Sequence, residues 1–293
     1  MWSGAGSDRT GRRDYVHTQT PSKCDTTAPS RDWKPDLSVE IRNRDYVYSL
    51  ARGLEVIRAF TRAQPRMTLS EISRATGMNR ATVRRFLLTL VKEGYAETDG
   101  KFFSLKPKVL EVGYAALSSM TMLDVIQPIL TRLAEKLEES CFAAVLDGTD
   151  VVYIAGASPP DRIVSISVGV GSRAPAHCVS SGRVLVAALS KKEQRDYLDS
   201  AMLTKLTPNT VTSKAKLRKL IEDTKVKGWS IVDQELEVGL RSISVPIHDR
   251  SGDVVAALNV ACPSSRITPE DMHDRILGEL QAASQAITAG LQK

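Results

Sequence analysis

Between Met67 and Leu105 the chain reads MTLSEISRATGMNRATVRRFLLTLVKEGYAETDGKFFSL, a stretch that leaves few folds open. Thr68 and Glu71 have the separation of a capping box, in which the hydroxyl meets a free amide at a helix start and the carboxylate reaches back. Leu69, Ile72, Ser73 and Thr76 recur at helical spacing. Gly77 supplies the positive φ that turns the chain out of that helix. Asn79 opens a second helix with Val83, Phe86, Leu87 and Leu90 on one face and Arg80, Thr82, Arg84 and Arg85 on the other. Gly94 ends it, and Asp99-Gly100 predicts a type I′ turn between strands Tyr95–Thr98 and Lys101–Leu105. Helix, glycine turn, basic helix and hairpin make a winged helix-turn-helix, which sets its second helix in the major groove of DNA.

The charge distribution agrees with that placement. Residues 41–108 hold fourteen basic and six acidic side chains, whereas residues 109–293 hold twenty and twenty-two. The positive balance is thus confined to the segment that would neutralise phosphates. With 293 residues, 42% of them hydrophobic, the chain is long enough for two cores. Cys24, Cys141, Cys178 and Cys262 are widely spaced, which argues against a disulfide framework or a structural zinc site. No metal or cofactor is expected. No segment reaches the roughly 18–20 apolar residues of a membrane span, and the first residues lack the apolar core of a signal peptide, so a soluble cytoplasmic protein is expected.

The pattern along the chain predicts an α+β protein. Residues 1–44 form a polar tail without periodicity, expected to be disordered. A helix over Tyr48–Ala63, with Leu50, Leu54, Ile57, Ala59 and Phe60 inward, begins a winged-helix domain over 45–105. A linker helix over 106–121 follows. In the second domain, 122–293, the helix Leu123–Leu137 carries Pro128 as a kink or boundary. Phe142–Leu146 and Val151–Ala155 flank the turn Asp147-Gly148. Ile163–Val168 alternates as a half-buried strand, and 169–181 reads as an irregular loop. Helices are expected over Gly182–Leu189, from the capping box Ser190–Glu193, over Ser213–Lys227 and from Thr268. Strands are expected at Trp229–Val232, Ser242–Ile247 and Val254–Val260. Hairpins dominate, so the sheet should be antiparallel.

LARGLEVIRAF, LSEISRATGMNRATVRRFLLTLVKEGY, SRAPAHCVSSGRVLVAAL and GWSIVDQELEVGLRSISVPIHDRSGDVVAALNVACPSSRIT, in that order, resemble the IclR family of bacterial transcription regulators over about residues 45–290. Within the family the similarity is greatest to the branch regulating protocatechuate, hydroxybenzoate and β-ketoadipate catabolism. The resemblance implies a second domain related to GAF and PAS folds, a small carboxylate effector bound there, and operator binding as a dimer or dimer of dimers.

On the first domain, Arg can pair with guanine and Asn with adenine, so Asn79, Arg80, Thr82, Arg84 and Arg85 are the candidate reading surface. Arg80, Thr82 and Arg84 are the base-reading candidates; Ser70, Arg74 and Lys101 suit phosphate. One such module reads a half-site, which implies a two-fold protein on a palindromic double-stranded operator. The apolar faces of 48–60 and 109–117 are candidate dimer surfaces. By resemblance, three stretches converge on an effector site; in the first, Ala174, His177, Ser180, Ser181 and Gly182 lead into the helix near Gly182, where free amides and hydroxyls suit a carboxylate. By resemblance, Asp233, Val238, Leu240, Ser242, Asn259 and Ala261 line the same pocket. Arg173, Arg183 and Arg241 serve either as charge partners of the effector or as surface and interface residues. Two alternatives stand beside this reading: a constitutive DNA-binding regulator without effector, and a thiol enzyme using Cys178 with His177. Sequence neighbours seldom aim their side chains at each other, which disfavours the enzyme.

Overall fold

The computed structural model describes residues 45–61, 63–113, 122–159 and 169–291. The tail, most of the linker helix and the expected strand Ile163–Val168 lie outside the described residues. Helix α1 (Tyr48–Arg58) ends five residues earlier than its periodicity suggests. Pro65 disfavours helical backbone at Gln64, and Thr61 and Gln64 instead exchange backbone bonds of 3.3 and 3.0 Å in a turn. The inward stripe differs as well. Val56 is fully buried, with Ala59 and Phe60 packed beside it, while Leu50 and Leu54 are 64% and 42% exposed.

Helix α2 (Leu69–Thr76) begins with the full Thr68–Glu71 capping box, and Gly77 closes it in the left-handed region at φ 69°. The Thr68 backbone N–H bonded to Glu71, seconded by the Thr68 hydroxyl, holds the Glu71 carboxyl below its ordinary pKa. Helix α3 (Arg80–Lys92) buries Val83 and Leu87 against Val56, Met67, Ile72, Met78 and Phe103. Each such side chain contributes about 1.5–3 kcal/mol when buried. The wing is β2 (Ala96–Thr98) and β3 (Phe102–Leu105), joined by β1 (Arg66–Thr68), which pairs antiparallel with β3. At three residues, β1 is too short to announce itself by alternation. The wing turn is not type I′. That turn requires positive φ at both central residues, and only Gly100 has it, at 94°. Asp99 instead accepts the Lys101 and Phe102 amides on Oδ1, at 3.0 and 2.7 Å.

The second domain is a six-stranded, wholly antiparallel sheet ordered β6-β5-β4-β9-β8-β7. Its strands are β4 (Ser140–Asp147), β5 (Asp150–Ala157), β6 (Arg173–Pro175), β7 (Ser230–Asp233), β8 (Leu240–His248) and β9 (Val254–Pro263). The stretch expected as an irregular loop holds β6, a 3₁₀ turn at Ala176–Cys178, and the start of α5 (Ser180–Ala188) two residues ahead of Gly182. Helices cover both faces. On one side α4 (Met122–Leu137) and α8 (Leu277–Leu291) pack on Cys141, Ala143, Val245, Leu258 and Val260. Pro128 lies inside α4 and is no boundary; it faces solvent, where water can bond the carbonyl that its missing N–H leaves free. On the other side α5, α6 (Lys191–Ser200) and α7 (Lys214–Lys227) cover Phe142, Ala144, Tyr153, Ala257 and Ala261. Both faces are therefore covered, which is why β9 is apolar from Val254 to Cys262 but for Asn259.

The register of β4 on β5 shifts between Ala143 and Ala144. Ala143 pairs with Ala155 but Ala144 pairs with Tyr153, so Ile154 is the extra residue of a bulge. A one-residue slip exchanges the faces of a strand. The bulge thereby sets Tyr153 beside Phe142, on the face under α5. Among the described residues no helix is long and apolar enough to cross a membrane, and no cluster of His, Cys, Asp or Glu could hold a metal.

Candidate functional site

In the first domain, local bonds fix the end of α2 and the turn that follows it. The Ser73 hydroxyl donates to the Met78 carbonyl at 2.6 Å, and the Thr76 hydroxyl to that of Ile72 at 2.8 Å. Asn79 caps α3, its Oδ1 accepting the Thr82 amide at 2.8 Å. That oxygen is therefore engaged, and the side-chain amide nitrogen is what Asn79 offers outward. Arg80, Arg84 and Arg85 project into solvent from α3, with Thr82 half-buried; Arg74 is exposed and Ser70 half-buried on α2. On the wing the Phe102 ring carries two cations, the Arg66 guanidinium at 4.5 Å and the Lys101 ammonium at 5.2 Å from its centroid. Arg66 is also bonded to Asp99. Arg66 reaches the wing from β1, which no sequence signal marks.

In the second domain a cavity lies between α5 and the sheet. Phe142, Tyr153, Cys178, Val179, Val232, Leu236, Leu240, Ser242, Asn259 and Ala261 line it, and it encloses about 20 Å³, room for about one water. Phe142 and Tyr153 meet edge to face at 5.6 Å. Helix α5 begins at this cavity without a side-chain cap, since Val179 has no polar group to lend. Its first amides therefore remain available as donors. Beside them the fully buried Ser181 hydroxyl has the Tyr153 phenol as its polar neighbour, while the Oδ1 of Asn259 on the sheet floor has no hydrogen-bond partner. Burial pushes the Tyr153 phenol up to about 12, so it is a neutral donor.

Of the eleven residues expected at an effector site, Leu240, Ser242, Asn259 and Ala261 line the cavity and Ser181 stands at its edge. Ser180 is spent internally, its hydroxyl 2.9 Å from that of Ser242 and 2.7 Å from that of Ser244. Gly182 is pressed on the 3₁₀ turn: a Cβ there would lie 2.1 Å from the Ala176 carbonyl oxygen. Ala174 is buried on β6. His177 is buried with Nε2 3.3 Å from the Thr204 carbonyl, and desolvation lowers its pKa. Asp233 pairs with Arg241 at 2.8 Å, and Val238 is 67% exposed. Each candidate arginine already has a carboxylate: Arg173 has Asp147 and Asp150, Arg183 has Glu235, and Arg241 has Asp233. The Cys178 thiol donates to the Pro175 carbonyl at 3.2 Å and is pushed up to about 12 by burial. That is the opposite of what a nucleophilic thiol requires. Phe142, Tyr153, Val179, Val232 and Leu236 are the lining residues the sequence did not signal, their apolar type being shared with the core.

Comparison with known proteins completes the description. Residues 49–100 match the IclR helix-turn-helix domain, and residues 114–289 match the family described as bacterial transcriptional regulator IclR C-terminal. The chain is 45% identical over 241 residues to the Pca regulon regulatory protein of Pseudomonas putida, covering 82% of this chain and 83% of that protein. A transcriptional regulator from Rhodococcus sp. RHA1 has a similar structure, with a TM-score of 0.74 at 43% identity over 84% of this chain and 98% of that one. An IclR homologue from Microbacterium hydrocarbonoxydans, solved in complex with 4-hydroxybenzoate, gives a TM-score of 0.71 at 25% identity over 83% and 99%. A winged helix followed by an antiparallel sheet domain, matched in sequence across both parts, places this chain in the IclR family of DNA-binding transcriptional regulators, in the neighbourhood of those that govern aromatic-acid catabolism.

Proposed function

We propose that the protein is a ligand-responsive regulator of aromatic-acid catabolic genes, with a winged helix over 45–105, a linker over 106–121 and an effector domain over 122–293. A small carboxylate binds between α5 and the sheet. The observation that carries this reading is the buried, unpartnered Asn259 Oδ1 on the cavity floor, facing a cavity at which α5 begins without a side-chain cap. Leaving a buried polar group unmet costs about 1–3 kcal/mol, and a ligand that meets it recovers that energy. Among the described residues no cation lines the cavity, so the negative charge is met by amides, hydroxyls and the helix dipole. The 4-hydroxybenzoate held by the Microbacterium homologue supports a ring-bearing acid of this size. Calorimetry with 4-hydroxybenzoate, protocatechuate and 3-oxoadipate tests the site. Ser181→Ala is expected to weaken binding by about tenfold, one bond's worth, and Asn259→Asp by at least about as much, because it sets a second negative charge against the acid. Unchanged affinity in both removes the cavity from consideration.

On DNA, Arg80, Thr82 and Arg84 read bases, Asn79 and Arg85 flank them, and Ser70, Arg74 and Lys101 hold phosphates. The assembly is a homodimer or a dimer of dimers on a palindromic operator. The exposed stripe of α1, with Leu50 and Leu54, and Leu110 and Val112 beyond the wing are apolar surfaces that an isolated domain would leave wet. Introducing Leu50→Glu and Leu54→Glu together should shift light-scattering mass toward the monomer while near-wild-type circular dichroism is kept. A mass equal to wild type would put the dimer contact elsewhere.

A further inference from the structure

Segment 234–240 closes one side of the cavity with Leu236 and Leu240 while its outer residue Val238 faces solvent. It is a pinched loop. The Gln234 amide donates to the Leu240 carbonyl at 2.8 Å, and the Gly239 amide to Gln234 Oε1 at 3.0 Å. Gln234 itself sits at φ 56°, a conformation that costs a non-glycine residue energy and persists only where its surroundings hold it. What holds it is buried. Arg183, 3% exposed and two residues past Ser181 on α5, places Nη2 2.7 Å from each Glu235 carboxylate oxygen. The Val211 amide donates to Glu235 Oε2 at 3.0 Å. The Thr210 hydroxyl donates to the Glu235 carbonyl and that of Thr207 to the Gln234 carbonyl, both at 2.6 Å.

A buried ion pair is a poor source of net stability, because desolvating both charges offsets their attraction; fixing one arrangement among several is its better-attested use. Here the arrangement it fixes joins the helix whose N-terminus faces the cavity to the segment that walls it. With about one water's volume enclosed, a ring-bearing acid enters only when a wall gives way. The sheet and α5 are backed by dry core, whereas 234–240 is backed by solvent.

We propose that Glu235, gripped by Arg183, is a positioning residue that holds 234–240 as the movable wall of the cavity, setting how readily an acid enters and leaves; this rests on the cavity being the effector site. The test uses the full-length protein and two variants, Glu235→Gln and the apolar replacement Arg183→Met with Glu235→Leu. Hydrogen exchange without ligand is expected to accelerate at least tenfold at 234–240 in both, with β8 and β9 amides within twofold of wild type. Stopped-flow release of 4-hydroxybenzoate is expected to accelerate by a similar factor. The apolar pair keeps the measurement available if Glu235→Gln alone fails to fold. Unchanged exchange at 234–240, or acceleration spread evenly over the domain, overturns the proposal, the latter by reducing the pair to a general structural role. If 234–240 loosens selectively while wild type binds none of 4-hydroxybenzoate, protocatechuate and 3-oxoadipate, the acid reading falls and the assignment of Glu235 to the wall stands.

Discussion

Replacing Gly182 by Ala is expected to lower the stability of the second domain by about 2–3 kcal/mol, although a mid-helix Gly→Ala change ordinarily raises helix stability by about 1. The sign is decided by the added methyl, which would lie 2.1 Å from the Ala176 carbonyl oxygen and 2.4 Å from its Cα. Both are backbone atoms in a turn anchored by the Cys178 thiol and by the Ala176 amide bonded to Thr149, so no side chain can swing aside. Gly278 in α8 is the control: nothing lies within 4 Å of its Cβ position, and Gly278→Ala should be neutral or stabilising by up to about 1 kcal/mol. Urea midpoints at unchanged m-value measure both. A Gly182→Ala protein as stable as wild type would mean that the 3₁₀ turn yields, and that the start of α5 is not held where the cavity needs it.

Arg84→Ala is expected to weaken operator binding by about 1–3 kcal/mol, roughly 5- to 150-fold, and to relax the preference at one base position. Random DNA should be bound almost as before, because the lost contact is to a base edge. Lys101→Ala should behave differently. Its ammonium stands on the Phe102 ring at the wing, and removing a phosphate contact flattens the dependence of log K on log salt by about one, equally for all sequences. Titrations of operator and scrambled duplexes at several salt concentrations separate the two. Equal losses on both duplexes for Arg84→Ala would reject its role in base reading.

The parts of the fold legible in the sequence are those held by bonds over three to five residues. The Thr68–Glu71 and Ser190–Glu193 capping boxes are both formed, a helix starts after Thr268, and Gly77 and Gly228 close their helices in the left-handed region. The antiparallel sheet followed from hairpin signals of the same short range. Where long-range pairing decides, the pattern misleads. The α1 periodicity fits two stripes, and only packing against the rest of the winged-helix core selects the one with Val56. The short strands β1 and β6 exist because β3 and β5 offer free edges, not because three residues prefer extension.

The candidate site divides in the same way. The helix at Gly182 was legible because an apolar run at helical spacing is a local signal, although it starts two residues earlier, at Ser180. The pairing of Arg183 with Glu235, 52 residues away, was not, and it removes an apparent charge partner from the cavity. Tyr153 shows the difference most sharply. Alternation along Val151–Ala155 says only that neighbouring side chains face opposite ways; which of them meets α5 depends on a one-residue bulge against β4. The sequence by itself thus determined the two-domain order, the helix with the basic face and the sheet type, through interactions between near neighbours. The tertiary structure alone decided which side chains enclose the cavity, because register between strands is set by the sum of contacts across the whole sheet.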